Sequence, residues 1–233
     1  GPMGQWRDYA AELSGDAVKA LQARFILDWN YATKEGLDIG DARYFPPNEG
    51  GSIPVQVVSS GPDSPRTPIK DEYLKLLGTA RRYVYIQTPY FIPDESVMDA
   101  LRIASLSGVD VRIMFPDRPD HPLVYWASLS FVGQLLPWGV RAYTFDDGFI
   151  HAKTAFADDA VSSIGSANWD IRSFRLNFET NGVIYDSETA RRNRELFEKD
   201  LKRCTEITLE DYRRRRLAVR AREGIARLFA PIL

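Results

Sequence analysis

From Val55 to Lys202 the chain alternates short β-branched runs with helix-patterned stretches. That alternation limits the fold more than any other feature. "VQVVSS" (55–60), "YVYIQT" (83–88), "VDVRIMF" (109–115), "VRAYTF" (140–145) and "NGVIYD" (181–186) have strand composition, with the last of these expected to close the sheet. Helices are predicted over 70–79, 94–107, 122–140 and 188–202. Strands joined through helices form one sheet with helices on its faces. The expectation is therefore an α/β domain, layered α/β/α, with a mainly parallel central sheet. "IHAKTAFAD" and "VSSIGS" flank an Asp158-Asp159 turn and read as a β-hairpin, which makes that sheet mixed.

Three divisions are expected. Residues 1–4 (Gly-Pro-Met-Gly) read as an expression remnant. Residues 5–45 read as the helical tail of an upstream half. Their helix, from Gly15 to Lys34, repeats Val18, Leu21, Phe25 and Trp29 at helical spacing. After the turn cluster "FPPNEGGS" (45–52), residues 53–233 form the main domain and end in a basic helix. Pro122 to Val140 is uncharged, but its two serines, glutamine, two glycines and internal proline favour a buried helix over a membrane span.

Charge and cysteine content exclude several functions. The formal net charge of −2 lacks the basic excess of a nucleic-acid binder, so no nucleic-acid partner is expected. The single cysteine, Cys204, excludes an internal disulfide and a thiolate metal cluster. From Arg213 to Leu233, seven arginines face one glutamate and alternate with leucine, isoleucine and phenylalanine. Such a segment suits an anionic membrane surface or an ordinary solvated face.

One of only two histidines opens the chemistry. In a strand with period two, His151 and Lys153 of "IHAKTAF" point to one face. Ser166 and Asn168 have the same parity in the next segment and can meet them across the hairpin. An imidazole, a cation and two neutral hydrogen-bonding groups together suit a phosphate: the imidazole attacks or protonates, and the others stabilise charge on the phosphate oxygens. His-x-Lys-x4-Asp followed by Gly-Ser-x-Asn (His151, Lys153, Asp158, Gly165, Ser166, Asn168) resembles the signature of the phospholipase D superfamily. "TPYFIPDE", "GSANWDIRSFRLNFE" and "ITLEDYRRR" narrow the resemblance to the rear part of bacterial cardiolipin synthases.

The resemblance implies a mechanism without metal or cofactor. One histidine attacks a phosphodiester and a second protonates the departing alcohol. For the family the donor and acceptor are both phosphatidylglycerol, and glycerol leaves. The resemblance implies a general-acid role for His151, phosphate binding by Lys153, Ser166 and Asn168, and orientation of an imidazole by Glu179. Asp158 is implied as a third member of the catalytic set, with a structural role at the turn equally open. It also places His121 near the substrate pocket, although a loop residue ahead of a helix is an equal reading. Family members carry two such motifs and N-terminal membrane helices at the bacterial inner membrane, and neither those helices nor a first motif occurs in this sequence. The partner is then an upstream half or a second copy of the chain. A single-motif phosphodiesterase or nuclease acting as a homodimer, and an inert half domain, remain alternatives.

Overall fold

The computed structural model describes residues 4–118 and 120–230. Gly1 to Met3 of the expected remnant, and the last three residues of the basic tail, lie outside the described residues. In chain order the elements begin β1 (Trp6–Arg7), α1 (Ala17–Thr33), β2 (Val55–Ser60), α2 (Pro68–Thr79), β3 (Tyr83–Gln87), β4 (Phe91–Ile92), α3 (Glu95–Leu106), β5 (Asp110–Pro116), α4 (Pro122–Leu135) and β6 (Arg141–Phe145). They continue with β7 (Phe149–Ile150), β8 (Thr154–Ala157), β9 (Val161–Gly165), β10 (Trp169–Asp170), α5 (Ile171–Arg175), β11 (Glu179–Ile184), α6 (Ser187–Leu201), β12 (Cys204–Ile207), α7 (Leu209–Arg214) and α8 (Leu217–Leu228).

Eight strands form the main sheet in the order β12-β6-β5-β3-β8-β9-β11-β2. The sheet is mixed and helices cover it, as expected of an α/β domain. The balance of pairings differs from the expectation. Within this sheet only β3-β5 and β5-β6 pair in parallel; the other five neighbours are antiparallel. Helices α3 and α4 return the chain to the same end of the sheet and keep β3, β5 and β6 aligned. The β8-β9 hairpin then inserts beside β3 and reverses direction. A strand was also missing from the expectation: β12 follows α6 and closes the edge against β6. Its "CTEI" lacks the apolar alternation that marks the other strands.

Strand β3 shows why the core has two sides. Val84 and Ile86 face the larger cluster with Val97, Leu101, Ile113, Val132 and Trp169. Tyr83 and Tyr85 face the smaller one with Met114, Phe156 and Phe197 of α6. A period of two thus buries both faces of one strand. The uncharged stretch forms α4 as a buried helix, with Ala127, Val132 and Leu135 at 1% exposure or less. Its 3-10 extension stops at Gly139, whose φ of +89° suits glycine. Among the described residues, no helix is long and apolar enough to cross a membrane.

Two helices depart from their expected packing. In α1 only Ile26 is buried, while Phe25 and Trp29 of the predicted apolar stripe are 55% and 40% exposed. The helix packs mainly on the edge strand β2, which leaves that stripe largely uncovered. The basic tail is two helices, α7 and α8, with extended backbone at Arg215 and Arg216 between them. Helix α8 buries Glu223 and Ala226 and packs on α4.

Candidate active site

The site is built where β7 ends and β8 begins. Ala152 turns into the core at 1% exposure, which leaves its neighbours on the opposite side. Lys153 Nζ lies 2.7 Å from both His151 Nε2 and the His151 carbonyl oxygen. The pairing expected from strand parity is present. The next segment is tied to the same point: the Gly165 amide donates to the Lys153 carbonyl at 3.2 Å. A side chain at Gly165 would place its Cβ 2.1 Å from Asn181 Oδ1 and 2.4 Å from the Thr180 carbonyl oxygen. Close approach of β11 therefore demands glycine at the head of Gly-Ser-x-Asn.

Beyond Gly165 the loop is pinned from below. Tyr73 donates to the Ala167 carbonyl at 3.0 Å, and Asn181 Oδ1 accepts from the Ala167 amide at 3.4 Å. The outward residues on either side are Ser166 and Asn168. Ser166 Oγ donates to Glu179 and accepts from the Thr180 amide at 3.0 Å. Asn168 has a buried side-chain oxygen with no hydrogen-bond partner among the described residues. Glu179 bonds Ser166 and Asn177, so its carboxylate holds the loop rather than His151.

Burial pushes the Lys153 ammonium down to about 8. The carboxylates of Asp8, Glu179, Asp170 and Asp120 pull it partly back. A half-buried cation beside an imidazole and a glycine loop can attract a phosphate at neutral pH and loses its charge in mild alkali.

Two predicted residues lie away from that pair. Asp158 sits at the far turn of the hairpin, at the opposite end of β8 from Lys153. Its carboxylate accepts from the backbone amides of Arg81, Arg82 and Tyr83 at 2.6–2.9 Å. Asp158 and Asp159 both have left-handed φ, +57° and +53°, which acidic residues tolerate in a tight hairpin turn. These bonds give Asp158 the structural place at the turn that its sequence position had left open. Loss of three charge-assisted bonds in Asp158→Ala is expected to cost about 1–3 kcal/mol of stability. Denaturant unfolding measures it, and phosphate binding by the folded protein should be unchanged. His121, by contrast, lines a cavity of about 470 Å³ together with Asn168, Asp170 and Arg172. The structure brings it to the edge of the site, 70% exposed.

Residues 73–201 match the family described as cardiolipin synthase, PLD-like domain. The chain belongs to this family. It is 50% identical over 231 residues to the major cardiolipin synthase ClsA of Bacillus subtilis, and 48% identical over 230 residues to a cardiolipin synthase of Oceanobacillus iheyensis. Each match covers 99% of this chain and 48% of the relative, so the chain spans about half the length of the curated relatives it matches. Among solved structures, the phospholipase D family member Nuc of Salmonella typhimurium superimposes with a TM-score of 0.58 at 21% identity, covering 67% of this chain and 99% of Nuc. A phosphatidylserine synthase of Haemophilus influenzae gives 0.61 at 17% identity, covering 80% of this chain and 50% of its own. These two likenesses establish the phospholipase D-type fold.

Within this cardiolipin synthase family fold, one site residue had escaped the sequence reading. Strand β1 pairs in parallel with β7, Arg7 opposite Ile150, and the His151 amide donates to the Arg7 carbonyl at 2.9 Å. Asp8 then lies with both carboxylate oxygens 3.3 Å from His151 Nδ1. Trp6 packs on the imidazole with ring centres 4.8 Å apart, and Arg7 is clamped to the buried Asp200 at 3.1 Å. His151 thus has a carboxylate at Nδ1 and the Lys153 amine at Nε2. A faint signal existed. Asp8 stands nine residues ahead of α1 and Glu179 eight ahead of α6, an acidic residue before a helix in each case. A recurrence that short does not stand out as a repeat.

Proposed function

We propose that this chain supplies one half of the two-histidine site of a cardiolipin synthase, which moves a phosphatidyl group from one phosphatidylglycerol to another. In this reading a histidine nitrogen attacks the phosphorus of the donor. The bond to glycerol breaks, and the leaving oxygen takes a proton from the second histidine. A hydroxyl of the acceptor phosphatidylglycerol then gives its proton back to that histidine and attacks phosphorus, and the N–P bond breaks. His151 is assigned the acid–base role, with Nε2 as its working atom and Asp8 balancing the imidazolium. Lys153, Ser166 and Asn168 would hold phosphate oxygens. Glu179 would orient the imidazole of the partner half, and His121 would contact substrate.

The observation that carries this reading is the His151 ring. It is fixed through Nδ1 by a carboxylate while Nε2 meets a cation whose ordinary ligand would be an anion. The test is conversion of labelled phosphatidylglycerol in mixed micelles over a range of protein concentrations, beside His151→Ala. Cardiolipin formed with second-order dependence on protein, and absent in the variant, supports two copies completing one site. Product only after adding the upstream half of a relative supports a non-identical partner. Absence of transfer in both mixtures, with folded protein, overturns the reading.

The exposed Phe25 and Trp29 of α1, with ring centres 5.9 Å apart, offer such a partner an apolar face. A bilayer partner has its own support. Leu217 and Leu228 of α8 are each 79% exposed and Ile225 is 57% exposed, amid the arginines of the tail. This surface suits anionic lipid and is consistent with a place at the bacterial inner membrane. Leu217→Gln with Leu228→Gln leaves the α4 contact intact. It is expected to reduce flotation with phosphatidylglycerol vesicles severalfold, whereas unchanged flotation removes α8 from the lipid-facing surface.

A further inference from the structure

A phosphatidyl acceptor brings a second phosphate to the site, and the structure offers a place for it. The cavity that opens beside Asn168 has an apolar part of its lining in Ile92, Leu123 and Val124. Hydrogen-bonding groups complete the lining: Tyr90, His121, Asp170, Arg172 and Asn177. Arg172 is the distinctive member. Asn177 Oδ1 accepts from its Nε at 3.3 Å, and Asn177 in turn donates to Glu179 at 3.1 Å. The guanidinium is therefore tethered by a neutral amide to the loop that carries Ser166. Among the described residues this exposed guanidinium has no carboxylate partner.

Building on the proposed phosphatidyl transfer, we propose that this cavity is the acceptor subsite, and that Arg172 binds the phosphate the acceptor lipid already carries. The chemistry sets the spacing. The attacking hydroxyl and the resident phosphate of phosphatidylglycerol are on one glycerol unit, so the product has two phosphodiesters joined by three carbons. With one phosphate at Lys153 and Asn168, the other falls in the adjoining cavity that Asn168 and Arg172 both line. A planar guanidinium with free terminal N–H groups grips a phosphodiester through two parallel bonds. His121, 70% exposed at the rim, can add a second donor. Asp170 of the cavity lining supplies an acceptor for the glycerol hydroxyl, while Asp120 lies outside that lining. Asp120 is occupied by Tyr90, and Asp170 by the Ser173 amide at 2.6 Å, so their charges are partly engaged. Water as acceptor would leave Arg172 unused, which makes this residue a determinant of transfer over hydrolysis.

Two soluble probes test the idea without turnover: deacylated phosphatidylglycerol, with one phosphodiester, and deacylated cardiolipin, with two bridged by glycerol. Titration calorimetry on the whole chain is expected to show the two-phosphate probe binding at least about tenfold tighter, the gain of one charge-assisted contact. Arg172→Gln should reduce it to the affinity of the one-phosphate probe, and Arg172→Lys should restore part of the gain. Lys153→Ala should weaken both probes. Equal affinities in the parent chain, or a gain that survives Arg172→Gln, overturn the acceptor subsite alone. Binding of neither probe, or no effect of Lys153→Ala, overturns the phosphate site on which it rests.

Discussion

Replacing His151 by alanine in the assembled enzyme is expected to lower turnover by about 10²–10⁴-fold, the contribution of a positioned acid–base group. The reason lies in three fixed contacts. Asp8 takes one ring nitrogen, Lys153 meets the other at 2.7 Å, and Trp6 limits the tilt of the ring. Ala152 and Ile150 are fully buried on either side, so the backbone carrying the imidazole has little freedom to move. The fold should survive the change, because His151 is itself one-third exposed. Circular dichroism would establish that, and a labelled phosphatidylglycerol assay would read the loss. Near-normal transfer by folded His151→Ala protein would remove the residue from the chemistry. Asp8→Asn should give a smaller loss of the same kind, since it keeps the shape and removes the charge that steadies an imidazolium.

Lys153→Ala is expected to cost about 10²–10³-fold in turnover, as when one donor to a developing oxyanion is removed. Its pH behaviour separates a phosphate-holding role from a structural one. Burial lowers the ammonium to about 8, so the free protein should lose affinity for a phosphodiester as pH rises through that value. A phosphodiester has no ionisation of its own in that range. Binding of the anion favours the charged lysine, so the midpoint measured with ligand bound should lie higher than in the free chain. In Lys153→Ala both the affinity and this pH dependence should vanish together. A variant with weak binding but an unchanged alkaline midpoint would assign the titration to another group.

The sequence by itself determined the α/β class, the β8-β9 hairpin and the outward pair His151 and Lys153. These are local properties: strand parity has a period of two, and acidic residues at a turn accept left-handed backbone. The glycine of Gly-Ser-x-Asn was legible for a similar reason, although only β11 lying against it explains why no larger residue fits. Tertiary structure decided what completes the site. Asp8 reaches His151 across 143 positions through two residues of β1, a pairing too short to leave a pattern in the sequence. Asp158 belongs to the motif in sequence, yet the length of β8 carries it to the opposite end of the strand, where the amides of Arg81 to Tyr83 claim it. The cavity shared by His121 and Arg172 likewise exists only once residues at the start of α4 and in α5 are brought together. Periodicity reports which way a side chain points from its own strand; which residue of a distant segment meets it is settled by the packing of the whole sheet.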